Sequence, residues 1–267
     1  MTIKNIYERL CRAVWVYKQP LTLAPAPGNA DAVFSDLFIW RKSAEWETFF
    51  ELVDMPRLFS ESGVSACSVS LVFFDKDGRA FLNKTLTPVP NARNFLNISK
   101  LIDCEVGEHG TFSVFHDATP DNLKVFGSYL AERGYVSYRY REAPLRSYVH
   151  GNFDAIAHFA DKSRQLMGGD GLRRREYHPQ LLLDDQNVYE FLVVNTTSKL
   201  QKVVFETRTK EGSLCNTRVT QVQPGGNDLF KLVPEHREER IVIISRLIMA
   251  RPLVFRIQDK KMDVFHG

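Results

Sequence analysis

The chain is short of the features that announce chemistry. It has four cysteines in 267 residues, Cys11, Cys67, Cys104 and Cys215, and none stands at the spacing of a zinc or redox motif. The opening stretch from Met1 to Tyr17 is broken throughout by charges, so it lacks the apolar core and small-residue cleavage site of a secretory signal. The cysteines therefore read as reduced thiols of a cytoplasmic protein. No run approaches eighteen uncharged apolar residues, so no membrane span is expected. Charge of one sign is scarce: 35 Lys and Arg against 32 Asp and Glu give a net +3, too balanced for an obligate nucleic-acid binder. There is no Gly-x-Ser-x-Gly elbow, no His-Glu-x-x-His pair and no phosphate-binding glycine loop placed after a strand. Asp154 and His158 would share a face if their segment were helical, but no ligand signature supports a metal. Neither metal nor cofactor is expected.

What the chain has instead is repetition. Lys76-Asp77-Gly78 is followed twelve residues later by Pro90, and Lys210-Glu211-Gly212 twelve residues later by Pro224. Val69 and Leu71 align with Val203 and Phe205, and Phe95, Leu96 and Ile98 with Leu229, Phe230 and Leu232. Val149-His150-Gly151 is echoed by Phe265-His266-Gly267. A repeat of this size predicts architecture before any single residue is interpreted. With 44% apolar and 25% charged residues, each copy can bury a core of its own.

Strand signals recur at intervals of eight to twelve residues, with Gly, Asn or Asp between them, which predicts a β-sandwich in each copy. The expectation is a mainly β chain of two tandem antiparallel β-sandwich domains of jelly-roll or immunoglobulin-like type. Residues 1–32 form an N-terminal helix and arm, with Ile3, Ile6, Tyr7, Leu10 and Val14 at helical spacing. Residues 33–152 form the first sandwich, carrying a helical insertion near 117–134. Residues 153–175 form a connecting helix and linker, and residues 176–267 the second sandwich. Trp40 and Trp46 flank a charged turn and are expected in the core more readily than on a binding surface.

The densest polar-aromatic cluster is Tyr138-Arg139-Tyr140-Arg141, followed by Arg146, Tyr148, His150 and Asn152. On a strand the two tyrosines share one face and the two arginines the other. Tyrosine rings suit stacking on a sugar, and guanidinium groups give paired, charge-assisted donors to carboxylate or phosphate. Of these, Tyr138, Arg139, Tyr140, Arg141, Tyr148 and His150 are the candidate ligand site. Aromatic-rich strands are also ordinary sheet packing, with the tyrosines half-buried and the arginines solvated. His150 and His266, repeated before glycine, read first as imidazoles bonded to backbone carbonyls. Gly168-Gly169-Asp170-Gly171 reads as linker. Arg173-Arg174-Arg175 is able to touch phosphates, or is simply solvated.

Trp46-Glu47-Thr48-Phe49-Phe50-Glu51-Leu52, Tyr189-Glu190-Phe191-Leu192-Val193-Val194-Asn195, and Ser245 followed by Ala250-Arg251-Pro252-Leu253-Val254-Phe255 fall in an order that resembles the small β-sandwich proteins related to the bacterial sensory rhodopsin transducer. That resemblance implies a compact jelly-roll-like sandwich, oligomerisation and a link to carbohydrate ligands; it carries no functional residue across. The expected function is a non-catalytic binding or accessory protein for a small-molecule or glycan ligand, sugar-containing and acidic, in bacterial carbohydrate metabolism. Two alternatives stand beside it: a carbohydrate-active enzyme with His150 as general acid or base, and a structural protein that forms homo-oligomers through open sheet edges.

Overall fold

The computed structural model describes residues 33–52, 68–89, 93–103, 105–116, 131–132, 134–158, 163–248 and 251–267. Their strands are β1 (Val33–Arg41), β2 (Trp46–Leu52), β3 (Val69–Phe74), β4 (Ala80–Leu86), β5 (Asn94–Asn97), β6 (His109–His116), β7 (Ala131–Glu132), β8 (Tyr135–Tyr140), β9 (Ser147–His150), β10 (Asn152–His158), β11 (Arg164–Leu166), β12 (Asp170–Tyr177), β13 (Val188–Val194), β14 (Gln201–Arg208), β15 (Leu214–Val222), β16 (Asn227–Leu232), β17 (Arg240–Leu247), β18 (Leu253–Gln258) and β19 (Lys261–His266). Among the described residues one helical turn, α1 (Ile98–Leu101), interrupts them, its first amide region capped by Asn97. Sheet I has the order β11-β10-β1-β6-β3-β4, sheet II β5-β2-β8-β9, sheet III β12-β17-β14-β15 and sheet IV β16-β13-β18-β19. Strand β7 runs parallel to β1 in sheet I; the other pairs are antiparallel.

The arrangement is sandwich-like. Phe50 of sheet II meets Phe38 and Phe112 of sheet I at 4.8 and 5.3 Å between ring centroids, and Phe205 of sheet III stacks on Phe230 of sheet IV at 4.7 Å. The strand order β1-β6-β3-β4 recurs as β12-β17-β14-β15, and β5-β2-β8-β9 recurs as β16-β13-β18-β19.

The agreement extends to single hydrogen bonds. In the β3–β4 hairpin Asp75 N donates to Arg79 O and Gly78 N to Asp75 O; in the β14–β15 hairpin Thr209 N donates to Ser213 O and Gly212 N to Thr209 O. Gly78 and Gly212 both have positive φ, 80° and 95°, where a Cβ is strained. Each hairpin shifts register at the same place, between Phe73 and Phe74 and between Thr207 and Arg208. A turn closed by a left-handed glycine produces this bulge.

The two sheet pairs do not stand apart. Sheet IV is apolar on both faces. Tyr189, Phe191, Val193, Phe230 and Val254 pack with sheet III, while Leu192, Val194, Leu253, Phe255, Ile257 and Val264 join the core of the first pair. Phe255 lies edge-on to Trp46 and Tyr138 at 5.1 and 4.9 Å. This explains why β13 is apolar along most of its length instead of alternating: a strand covered on both sides needs apolar residues on both.

Several expectations are corrected. The connecting helix from residue 153 is absent, because β10 and β11 occupy that segment and extend sheet I along β1. Helix-compatible residues there are overridden by the open edge of β1, which has ladder groups to satisfy. Asp154 and His158 therefore lie on a strand, and the helical spacing that united them is gone. The second sheet pair starts at Asp170 with β12, ahead of the expected residue 176. Strand β5 ends at Asn97 and the chain continues directly as α1. The N-terminal helix and most of the 117–134 insertion lie outside the described residues; Ala131 and Glu132 form β7. Trp40 and Trp46 are core residues, 0% and 5% exposed.

Candidate binding face

Sheet II divides the predicted cluster. Trp46, Thr48 and Phe50 of β2 stand opposite Tyr140, Tyr138 and Val136 of β8, and this face points into the core. Tyr138 is 0% exposed, and its hydroxyl donates to Ile39 O at 2.9 Å. Burial drives its pKa far up, so it stays a neutral donor. Tyr140 is buried beside Trp46 at 4.7 Å, and desolvation raises its pKa too. Neither tyrosine is open to a ligand. Alternation separated the tyrosines from Arg139, but period 2 does not say which face is covered.

The outward face carries the rest. Glu47 stands opposite Arg139, and Glu51 lies in register between Phe95 and Tyr135. Phe49 and Ser137 are opposite each other, with Tyr148 next to Ser137, and His150 next to Tyr135. Phe95, Tyr148 and Tyr135 are 36%, 43% and 50% exposed. Phe49 lies beneath Phe95, stacked at 5.4 Å.

Three arginines cross this aromatic floor. Arg139 is ion-paired to Glu47 and lies 5.6 Å from the Phe49 centroid. Arg93 holds Glu51 through two nitrogens, a bond that raises its pKa, with Tyr148 contributing less. Arg146, in the β8–β9 connection, sits 4.7 Å over Phe49 and 4.4 Å over Phe95. Among the described residues it has no carboxylate partner. The Ser137 hydroxyl in the same sheet is buried without a hydrogen-bond partner.

Arg141 falls outside this face. Strand β8 ends at Tyr140, and Arg141 occupies the turn with φ 52°, donating its amide to Glu45 O. Its guanidinium bonds Glu45 at 2.8 Å, which raises its pKa. His150 Nδ1 lies 2.8 Å from Gly151 O, and its ring meets that of His266 at 4.5 Å. His266 Nε2 is 3.1 Å from His150 O. Desolvation, then the His150 charge, pushes the His266 pKa down to about 4. Neither imidazole bonds a carboxylate. Among the described residues no group of three or more His, Cys, Asp or Glu could hold a metal ion.

Sequence reasoning thus missed Phe49, Phe95, Tyr135 and Arg93, and placed Arg146 in the cluster without counting it in the site. Glu47, Phe49 and Glu51 are separated from Trp46, Thr48 and Phe50 by the alternation of β2, which was the available signal. The convergence of β2, β5 and the residue before β9 was not visible in the chain.

The seam to sheet IV is fixed by a second, fully buried group. Arg41 is ion-paired to Glu190, their side chains 6% and 7% exposed. Its guanidinium lies 3.6 Å over Trp46 and 4.8 Å from Phe255. Burial lowers the Arg41 pKa, and Glu190 opposes that shift. Nearby, His109 Nδ1 meets Asn227 Oδ1 at 2.7 Å, and Asn227 N donates to Lys76 O at 2.9 Å. Arg41–Glu190 and His109–Asn227 thus both bridge the first sheet pair to sheet IV.

No protein-family model matches the chain, and no curated protein sequence matches it. Among solved structures, a glycosyl hydrolase family 2 member from Bacteroides cellulosilyticus is similar at 10% identity and a TM-score of 0.15. The match covers 91% of this chain and 30% of that one, so this chain spans under a third of that protein's length. A superposition at that score carries no argument for fold or activity. Among the described residues no helix is long and apolar enough to cross a membrane.

Proposed function

We propose that the protein is a non-catalytic binding or accessory protein for a sugar-containing, acidic ligand, held on the outward face of sheet II. The observation behind this reading is Arg146. It stacks over Phe49 and Phe95 at 4.7 and 4.4 Å, while Arg93 and Arg139 are committed to Glu51 and Glu47. A guanidinium that lies over aromatic rings and has no carboxylate partner among the described residues offers paired donors to a carboxylate. Tyr148, 43% exposed, offers a ring for the apolar side of a sugar. Arg139, Tyr148 and His150 carry over from the residues first singled out; Tyr138 and Tyr140 support the sheet from beneath.

Titration of the protein with uronic-acid oligosaccharides and their neutral counterparts tests the reading. Acidic sugars bind, neutral ones bind more weakly, and Arg146→Ala abolishes the difference. Absence of binding to both classes, or an Arg146→Ala variant that still discriminates, removes the proposal. The enzyme reading has no geometric support in the His150 and His266 pair, whose bonds go to backbone oxygens.

A further inference from the structure

The Gly-rich segment 168–171 and the arginine run 173–175 lead into and lie along β12 of sheet III. There, Asp170, Arg174, Lys199, Leu200, Gln201, Lys202 and Arg246 line a depression of about 270 Å³. Strand β12 pairs with β17 at Asp170↔Leu247 and resumes only at Arg175↔Ser245. The intervening residues bulge from the ladder, and bulges re-aim side chains. Arg246 Nε donates to Gly171 O at 2.9 Å, tying the bulge to β17.

The opposite wall is the loop between β13 and β14, and it is held firmly. The Asn195 amide nitrogen donates to the carbonyls of Lys199, Val222 and Gln223, while Asn195 Oδ1 receives the Thr197 amide and hydroxyl. Gln201 Nε2 donates to Thr197 Oγ1. Lys199 is thereby presented from a fixed backbone.

Four cations and one carboxylate line the depression, so its formal charge, 4 − 1, equals the net +3 of the whole chain. Asp170 meets Lys199 and Arg246 only at 3.5 and 3.8 Å. Among the described residues Arg174 and Lys202 have no carboxylate partner. A surplus of this kind in a concave place raises the potential felt by an anion.

We infer that this depression is a phosphate site, and specifically one for two linked phosphoryl groups. A single phosphate monoester brings about −1.5 to −2 charges, short of the surplus; a diphosphate is the closer match. The volume falls just below the range of roughly 300–1,000 Å³ of whole small-molecule pockets, which suits the anionic end of a ligand. This site does not depend on the aromatic face of sheet II, and its failure leaves that proposal standing.

Calorimetric titration with inorganic pyrophosphate, inorganic phosphate and a sugar monophosphate tests it. Pyrophosphate is expected to bind once per chain, at least tenfold tighter than either monophosphate, and to weaken with salt. Tighter binding of the sugar monophosphate than of inorganic phosphate would place the sugar itself in contact with the site. The Arg174→Ala/Lys202→Ala double variant loses at least tenfold in affinity, and Asp170→Asn gains affinity because a competing carboxylate is gone. Circular dichroism confirms that each variant is folded. No binding of pyrophosphate by the folded wild type, or a double variant that binds like wild type, overturns the inference.

Discussion

The two Lys-acid-Gly corners have the same backbone bonds, the same bulge and the same left-handed glycine, yet one glycine is seated against the Pro224–Gly226 backbone and the other meets nothing. A Cβ on Gly78 would meet Pro224 O at 2.3 Å, with the Gly225 carbonyl carbon and the Gly226 nitrogen at 2.7 Å; a Cβ on Gly212 would meet nothing within 4 Å. The outward sheets diverge in the same way. The outer face of sheet IV is spent on covering the first core, and the outer face of sheet II is left with exposed rings and arginines. Local sequence sets the turn, and position in the assembly sets what the turn is used for. We propose on this basis that a sheet-pair unit was duplicated and that its two copies then specialised.

The largest effect comes from breaking the seam between the copies. Arg41→Ala or Glu190→Ala strands its partner charge in an apolar place, at a cost of about 3–5 kcal/mol, measured by denaturant unfolding. Replacing both with methionine is expected to recover most of that loss. A single variant with wild-type stability would mean the ion pair does not clamp the halves.

The glycine corners sharpen the comparison. Gly212→Ala meets only the left-handed backbone penalty of about 1–2 kcal/mol. Gly78→Ala adds the collision with the Pro224–Gly226 backbone, a further cost of roughly 1–3 kcal/mol. Equal midpoint shifts for the two variants would deny that the first corner is seated in the seam.

Acid titrates the same seam. His109 is held below its ordinary pKa chiefly by burial, and His266 at about 4 chiefly by burial. Both imidazoles bind protons more readily when unfolded, so stability is full above the unfolded value of about 6.5 and falls as pH drops toward 4. Unfolding free energies between pH 7 and 4 should slope accordingly, and His266→Gln should flatten the slope. An unchanged slope would remove His266 from the account.

The smallest stability change is expected on the open face. Tyr148→Ala, at a surface position, should alter stability by no more than about 0.5 kcal/mol while lowering affinity for an acidic sugar. A large loss of stability with binding intact would make the ring structural.

Legibility in the sequence followed the range of the physics. The two matching corners were readable because hairpin turns are encoded within a few residues, and Gly78 and Gly212 announce the same turn. The alternation that set Tyr138 and Tyr140 against Arg139 was equally local. What covers each face was not, since it depends on Phe255 arriving from more than a hundred residues away. Residues 153–158 misled for the same reason: their strand exists because β1 has an edge to fill. Phe49, Phe95 and Arg146 came together only across three separate segments.

A sheet with two greasy sides has a consequence for biosynthesis. While the ribosome is still delivering the later residues, the earlier copy has no lid over Trp46 and Tyr138, and it waits for β13 and β18 before its interior is closed. Cutting the gene between the copies should therefore yield fragments that aggregate when made singly and reassemble when made together.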